Sequence, residues 1–98
     1  MYINVIKSYR TVVAVCDKEL LGKKFEEGIL QLDVKESFYK GKEASEEEVL
    51  ETLKKFSYED ATFNIVGPES VSVAIKAKVI LEENVGEIDS IPFALVLV

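Results

Sequence analysis

This 98-residue sequence predicts one α/β or α+β domain, in which helices pack on a mixed β-sheet. Three observations carry that prediction. The stretch from Ala61 to Val71 reads as a strand, a turn and the start of a helix. Thr62–Val66 is β-branched and aromatic, which suits a pleated, half-buried surface. Gly67 ends the run, and Pro68 suits a first helical position, where its missing N–H costs nothing and its φ is already set. Val71, Ala74, Ile75 and Val79 then follow at helical spacing. Two further runs, Thr11–Cys16 and Ile91–Val98, are almost wholly apolar, as strands buried on both faces are. Finally, 48% of the residues are hydrophobic, enough for a core and against disorder.

In chain order, Tyr2–Lys7 reads as a strand with Ile3 and Val5 on one face. Ser8-Tyr9-Arg10 is a tight connection to the Thr11–Cys16 strand, giving an antiparallel hairpin. Asp17 is placed to cap a helix from Lys18 to about Glu27, with Leu20, Leu21 and Phe25 inward and Gly28 as a left-handed residue after its end. Ile29–Val34 alternates as a strand, with Leu30, Leu32 and Val34 inward. Lys35–Ala44 reads as the longest loop.

The clearest local signal follows. Ser45 with Glu48 three residues later makes a capping box, and Glu46, Glu47 and Glu48 suit the positive end of a helix dipole. Val49, Leu50, Leu53 and Phe56 form the buried stripe of that helix. Glu51 pairs with Lys54 and Lys55 on its wet face. After the strand–turn–helix of residues 61–81, Glu82-Glu83-Asn84 is a turn and Val85–Ile88 a short strand. Asp89-Ser90 turns into the terminal strand. The predicted order is β-β-α-β-α-β-α-β-β: one two-layer domain over residues 1–98, with three helices and no internal repeat.

Composition bounds the function. The net charge of −6 argues against a general nucleic-acid binder, and DNA is not expected as a partner. The acidic excess lies after residue 28, so a local basic face on an acidic protein is compatible with it. No apolar run approaches a bilayer span and no leader pattern opens the chain, so the expectation is a cytoplasmic protein with no membrane partner. One cysteine excludes an internal disulfide. The absence of histidine removes the commonest metal ligand and the usual neutral-pH base, together with Ser–His–Asp and Cys–His arrangements. No calcium-loop pattern occurs and the acidic run is explained by the helix dipole, so no metal and no cofactor are expected.

Cys16 is the sharpest catalytic candidate, because a helix N-terminus lowers a thiol pKa. The following Asp17-Lys18-Glu19-Leu20-Leu21-Gly22, however, carries two acids and no arginine, unlike the cationic cradle of cysteine enzymes that attack phosphate. A small buried hydrophobe is the simpler reading. Gly67-Pro68-Glu69-Ser70 has strand-to-helix geometry but lacks the G-x-G-x-x-G pattern, and Glu69 puts a negative charge where phosphate would lie. Two basic–aromatic spots remain: Lys7 with Tyr9-Arg10, and Lys35, Phe38, Tyr39, Lys40 and Lys42 in the long loop. Aromatics that stack on bases beside cations that meet phosphates are what single-stranded RNA sites use.

The strings Tyr9-Arg10-Thr11-Val12-Val13-Ala14-Val15-Cys16-Asp17, Phe38-Tyr39-Lys40-Gly41, Ala61-Thr62-Phe63-Asn64-Ile65-Val66-Gly67 and Ile91-Pro92-Phe93-Ala94 resemble a small archaeal family known as domain of unknown function 424. The resemblance covers essentially the whole chain and carries no known chemistry. It implies a loose association with translation and RNA-related genes. Where the family pattern has a glycine near position 78, this chain has Lys78.

These readings converge on a small binding module for RNA or the translation machinery, with Arg10, Lys35, Tyr39, Lys40 and Lys42 in contact. A protein–protein adaptor using the acidic helix face is the alternative, and an enzyme working through Cys16 a third reading.

Overall fold

A computed structural model describes residues 1–97. Its principal sheet has six strands in the order β5-β1-β2-β6-β8-β7. These are β1 (Tyr2–Ile6), β2 (Thr11–Cys16), β5 (Lys42–Glu43), β6 (Ala61–Val66), β7 (Gly86–Ile88) and β8 (Ile91–Leu97). β2 and β6 pair in parallel, and the other neighbours are antiparallel, so the sheet is mixed as the sequence predicts. The parallel pair sits at the centre, and Val13, Ala14, Val15 and Cys16 are fully buried. β8 lies inside the sheet between β6 and the short β7. The expected strand Ile91–Val98 is therefore found, with Val98 outside the described residues.

Helices α2 (Glu46–Phe56) and α3 (Pro68–Lys76) pack on one face. Ile3, Val13, Val15, Phe63, Ile65 and Ala94 of the sheet meet Val49, Leu53, Phe56, Val71, Val73 and Ala74 there. The capping box of α2 is present: the Glu48 N–H donates to Ser45 Oγ at 3.2 Å, and the Ser45 N–H to Glu48 Oε1 at 3.1 Å. Hydrogen bonding to Ser45 and the neighbouring Lys42 hold the Glu48 carboxyl below its ordinary pKa. Ion pairs join α2 to other elements: Lys42 reaches Glu48 at 3.1 Å and Lys76 reaches Glu46 at 3.6 Å.

The helix expected over residues 18–27 does not form. A short 3-10 turn, Lys18–Leu20, is followed by strand β3 (Lys24–Glu27), which pairs with β4 (Leu30–Asp33) in a separate hairpin. The alternation Phe25, Glu26, Glu27 before Gly28 and Leu30, Gln31, Leu32 after it has a strand period, which prevailed over the helical spacing of Leu20, Leu21 and Phe25. Gly28 is left-handed as expected (φ 63°), but as the first residue of a two-residue hairpin turn rather than a helix end. Leu30 is exposed, not inward: it shares a face with Leu32 and Val34, but it lies beside the Gly28-Ile29 turn opposite the exposed Glu27, at the tip of the hairpin.

The segment read as a loop, 35–44, contains α1 (Glu36–Tyr39) and the edge strand β5. The hairpin and α1 cover the second face of the sheet. There Tyr39, Leu20 and Val34 pack against Ala14, Cys16 and Val66, with Phe25, Leu32 and Phe38 at the rim.

Candidate functional site

The carboxyl ends of the central parallel strands, β2 and β6, meet at Asp17 and Gly67. Asp17 is fully buried. It does not cap a helix of its own: its carboxylate reaches across to α3. Oδ2 accepts from the Glu69 N–H at 3.1 Å, and Oδ1 accepts from the Ser70 N–H at 2.8 Å and the Ser70 hydroxyl at 2.7 Å. Gly67 makes room for this contact. Its φ is 108°, and a Cβ there would lie 2.4 Å from Asp17 Cγ. The position that a phosphate occupies in dinucleotide folds is thus filled by the protein's own carboxylate. Asp17, Glu19 and Glu69 offer carboxylate oxygens within 4.8 Å of one another. The three hydrogen bonds to Asp17 account for its placement, and Glu19 and Glu69 are exposed.

Cys16 is buried beside this cap. Burial, with the neighbouring Asp17 charge second, pushes its thiol up to about 11. At neutral pH the sulfur is a protonated thiol, so the environment does not activate it as a nucleophile. Tyr39 stands on the same sheet face and is buried, its phenol pushed up to about 12 chiefly by desolvation and then by Cys16. Its ring forms an edge-on pair with Phe38, with centroids 5.0 Å apart. It therefore presents no stacking face to a ligand. Lys35 and Lys40 flank α1 and are exposed, whereas Lys42 is engaged with Glu48. The basic–aromatic loop of the sequence is brought together only as scattered cations over a packed core.

A different constellation forms at the opposite end of the sheet. The β1–β2 turn carries Lys7, Tyr9 and Arg10. Residue Thr11 stands level with Ala61 in the parallel pair, so this turn lies beside the segment leading from α2 into β6. Arg10 forms an ion pair with Asp60 across that junction. Next to it, the ends of α2 and α3 flank an open hollow of about 730 Å³ lined by Glu51, Lys54, Lys55, Tyr58, Lys76 and Lys78, together with Ser57 and Ala77. Tyr9 and Tyr58 are exposed residues, at 107% and 92%. Six of the twelve basic residues thus share one end with four acids, Glu51, Glu59, Asp60 and the Glu46 that Lys76 reaches, on a chain of net charge −6. Sequence reasoning grouped Lys7, Tyr9 and Arg10 but missed the remainder. Lys54 and Lys55 read as solubilising charge on the wet face of a helix, and nothing local joins them to positions 7–10 or 76–78.

The fold and this polarised surface define a class: a small mixed α/β domain with an acidic body and one cationic, tyrosine-bearing end. The chain belongs to the family of proteins of unknown function DUF424, whose model matches residues 6–98. Among solved structures it is similar to an uncharacterized conserved protein from Methanopyrus kandleri, at 26% identity and a TM-score of 0.85, covering 97% of this chain and 88% of that one. No curated protein matches it. No helix among the described residues is long and apolar enough to cross a membrane.

Proposed function

We propose that this chain is a small RNA-binding module that contacts single-stranded RNA through its cationic end. One observation carries the reading: two solvent-facing tyrosines stand among six cations at one end of an otherwise acidic protein. Exposed aromatic faces stack on unpaired bases, while lysine and arginine meet the phosphates. The acidic remainder repels the backbone elsewhere and so confines contact to that end. Arg10 keeps the role the sequence suggested for it. Lys35 and Lys40 flank a separate face and make weaker, secondary contacts in this reading. Lys42 is spent on Glu48, and Tyr39 serves the core.

The test is fluorescence anisotropy with a labelled single-stranded RNA over a salt series. The Lys54→Ala/Lys55→Ala variant is expected to bind roughly tenfold more weakly and to flatten the salt dependence by about one to two in log–log slope. Lys35→Ala/Lys40→Ala is expected to change affinity by less than about threefold. No binding by the wild type, or equal binding by the Lys54/Lys55 variant, would overturn the reading. A protein partner retained from lysate after nuclease treatment, in a chain that binds no RNA, would favour an adaptor using the acidic face of α2.

A further inference from the structure

We propose that the hollow between the ends of α2 and α3 binds one phosphorylated nucleotide, and that Lys78 is a ligand-contacting residue held there in a strained backbone conformation. The proposal deepens the RNA reading by naming what this part of the cationic end holds.

Helix α3 ends in a full Schellman motif. The Lys78 N–H donates to the Ile75 carbonyl at 3.0 Å, and the Val79 N–H donates to the Ala74 carbonyl at 3.2 Å. That motif places its C′ residue, here Lys78, in the left-handed region, where glycine is the ordinary occupant. Lys78 adopts φ 63°, a conformation its Cβ disfavours. Lys78 lines the hollow together with Lys54, Lys55 and Lys76. A solubilising lysine has many unstrained positions open to it. Strain kept at a surface cavity, by a residue that adds charge to that cavity, points to ligand contact.

The electrostatics support an anion. Each helix C-terminus contributes about half a negative charge, and Glu51 one more. Glu46, which Lys76 reaches at 3.6 Å, adds another, and the four lysines outweigh the sum by about one positive charge. Three of the lysines, 54, 55 and 76, lie in the last helical turns and offset the helix dipoles. Lys78, one residue past the α3 C-cap Ala77, adds the fourth cation to this lining. A volume of about 730 Å³ is within the range of small-molecule sites and exceeds what a bare phosphate needs. Tyr58, on the rim, supplies a face for a base. A dianionic phosphate together with a stackable base is the chemistry that matches this lining. It occurs both in a free mononucleotide and at the phosphorylated end of an RNA strand.

Isothermal titration of the full chain at low salt with AMP, adenosine, inorganic phosphate, and a short RNA with and without a 5′-phosphate tests the proposal. AMP is expected to bind and adenosine not. Lys78→Gly is expected to raise Tm by about 4–8 °C, since it relieves strain, while weakening AMP binding roughly tenfold. Tyr58→Ala is expected to weaken AMP binding by a similar factor without weakening inorganic phosphate. A preference for the phosphorylated RNA over AMP would identify a strand end as the source of the nucleotide, and the reverse a free mononucleotide. AMP affinity unchanged in Lys78→Gly, or no AMP binding by the wild type, would overturn the proposal. RNA binding that persists in Lys78→Gly at full strength would remove this hollow while leaving the RNA reading intact. AMP binding without any RNA binding would do the opposite.

Discussion

At the scale of single residues, the contact that fixes the domain's centre is Asp17 over Gly67. A buried carboxylate is tolerated only where donors replace its water, and two N–H groups and one hydroxyl do so here. Two mutations separate the roles of the pair. Gly67→Ala pushes a Cβ into the Asp17 carboxylate from a backbone conformation that alanine avoids. We expect it to cost roughly 3 kcal/mol or more. Asp17→Ala leaves the α3 donors buried without an acceptor and is expected to cost roughly 2–3 kcal/mol. Asp17→Asn, which keeps one acceptor oxygen, should cost less than Asp17→Ala. Denaturant titration gives all three, and an Asp17→Ala as stable as wild type would remove the capping role. The sequence made both residues visible but assigned Asp17 to the helix after it. A cap that joins positions 52 and 53 residues apart leaves no local signature, whereas the Gly67-Pro68 turn does.

At the scale of elements, α2 and α3 show the same need met in two ways. Both must satisfy the orphan N–H groups of a first turn. α2 does so within four residues, from Ser45 to Glu48, and was legible for that reason. Ser45→Ala is expected to cost about 1 kcal/mol, a fall in Tm of about 4–8 °C measured by calorimetry. α3 depends instead on a strand end distant in sequence, so its stability is tied to the β2–β6 pairing. Within 18–34 the strand predicted over Ile29–Val34 forms as β4, but the helix predicted over 18–27 does not, because the apolar residues there fit two periods at once. Leu20, Leu21 and Phe25 suit a helix, while Phe25 and Leu32 suit facing positions of a hairpin. The sheet face left bare by α2 and α3 decided between them: a hairpin lays Phe25 and Leu32 across that face beside α1.

At the scale of the whole molecule, charge and burial are both polarised. The cationic end sits at the amino ends of β2 and β6, and the buried acid of Asp17 at their carboxyl ends. Burial also sets the pH response. Cys16 and Tyr39 both have pKa values raised by the fold, to about 11 and about 12. Each therefore favours the native state in its protonated form. That contribution is complete below the unfolded values, ordinarily about 8.5 for a thiol and about 10 for a phenol. It is lost as pH rises through the folded ones. Stability is expected to fall between about pH 9 and pH 12, and Cys16→Ser/Tyr39→Phe to flatten that fall in a denaturation series. An alkaline limb unchanged in the double variant would show that other groups set it. Glu43 and Glu48, lowered by Lys18 and by Ser45 with Lys42 respectively, act in the acid limb: their contribution is present above their unfolded pKa values and is lost as pH falls through the folded ones. What the sequence determined alone was whatever is encoded within a few residues: the central apolar strands, the capping box, the glycine–proline turn and the terminal hairpin. Tertiary structure alone decided which carboxylate caps α3, that residues 24–33 form a hairpin, and that lysines from three distant segments stand beside two exposed tyrosines. Those outcomes depend on which surfaces the folded sheet leaves uncovered, and that is settled by long-range packing rather than local preference.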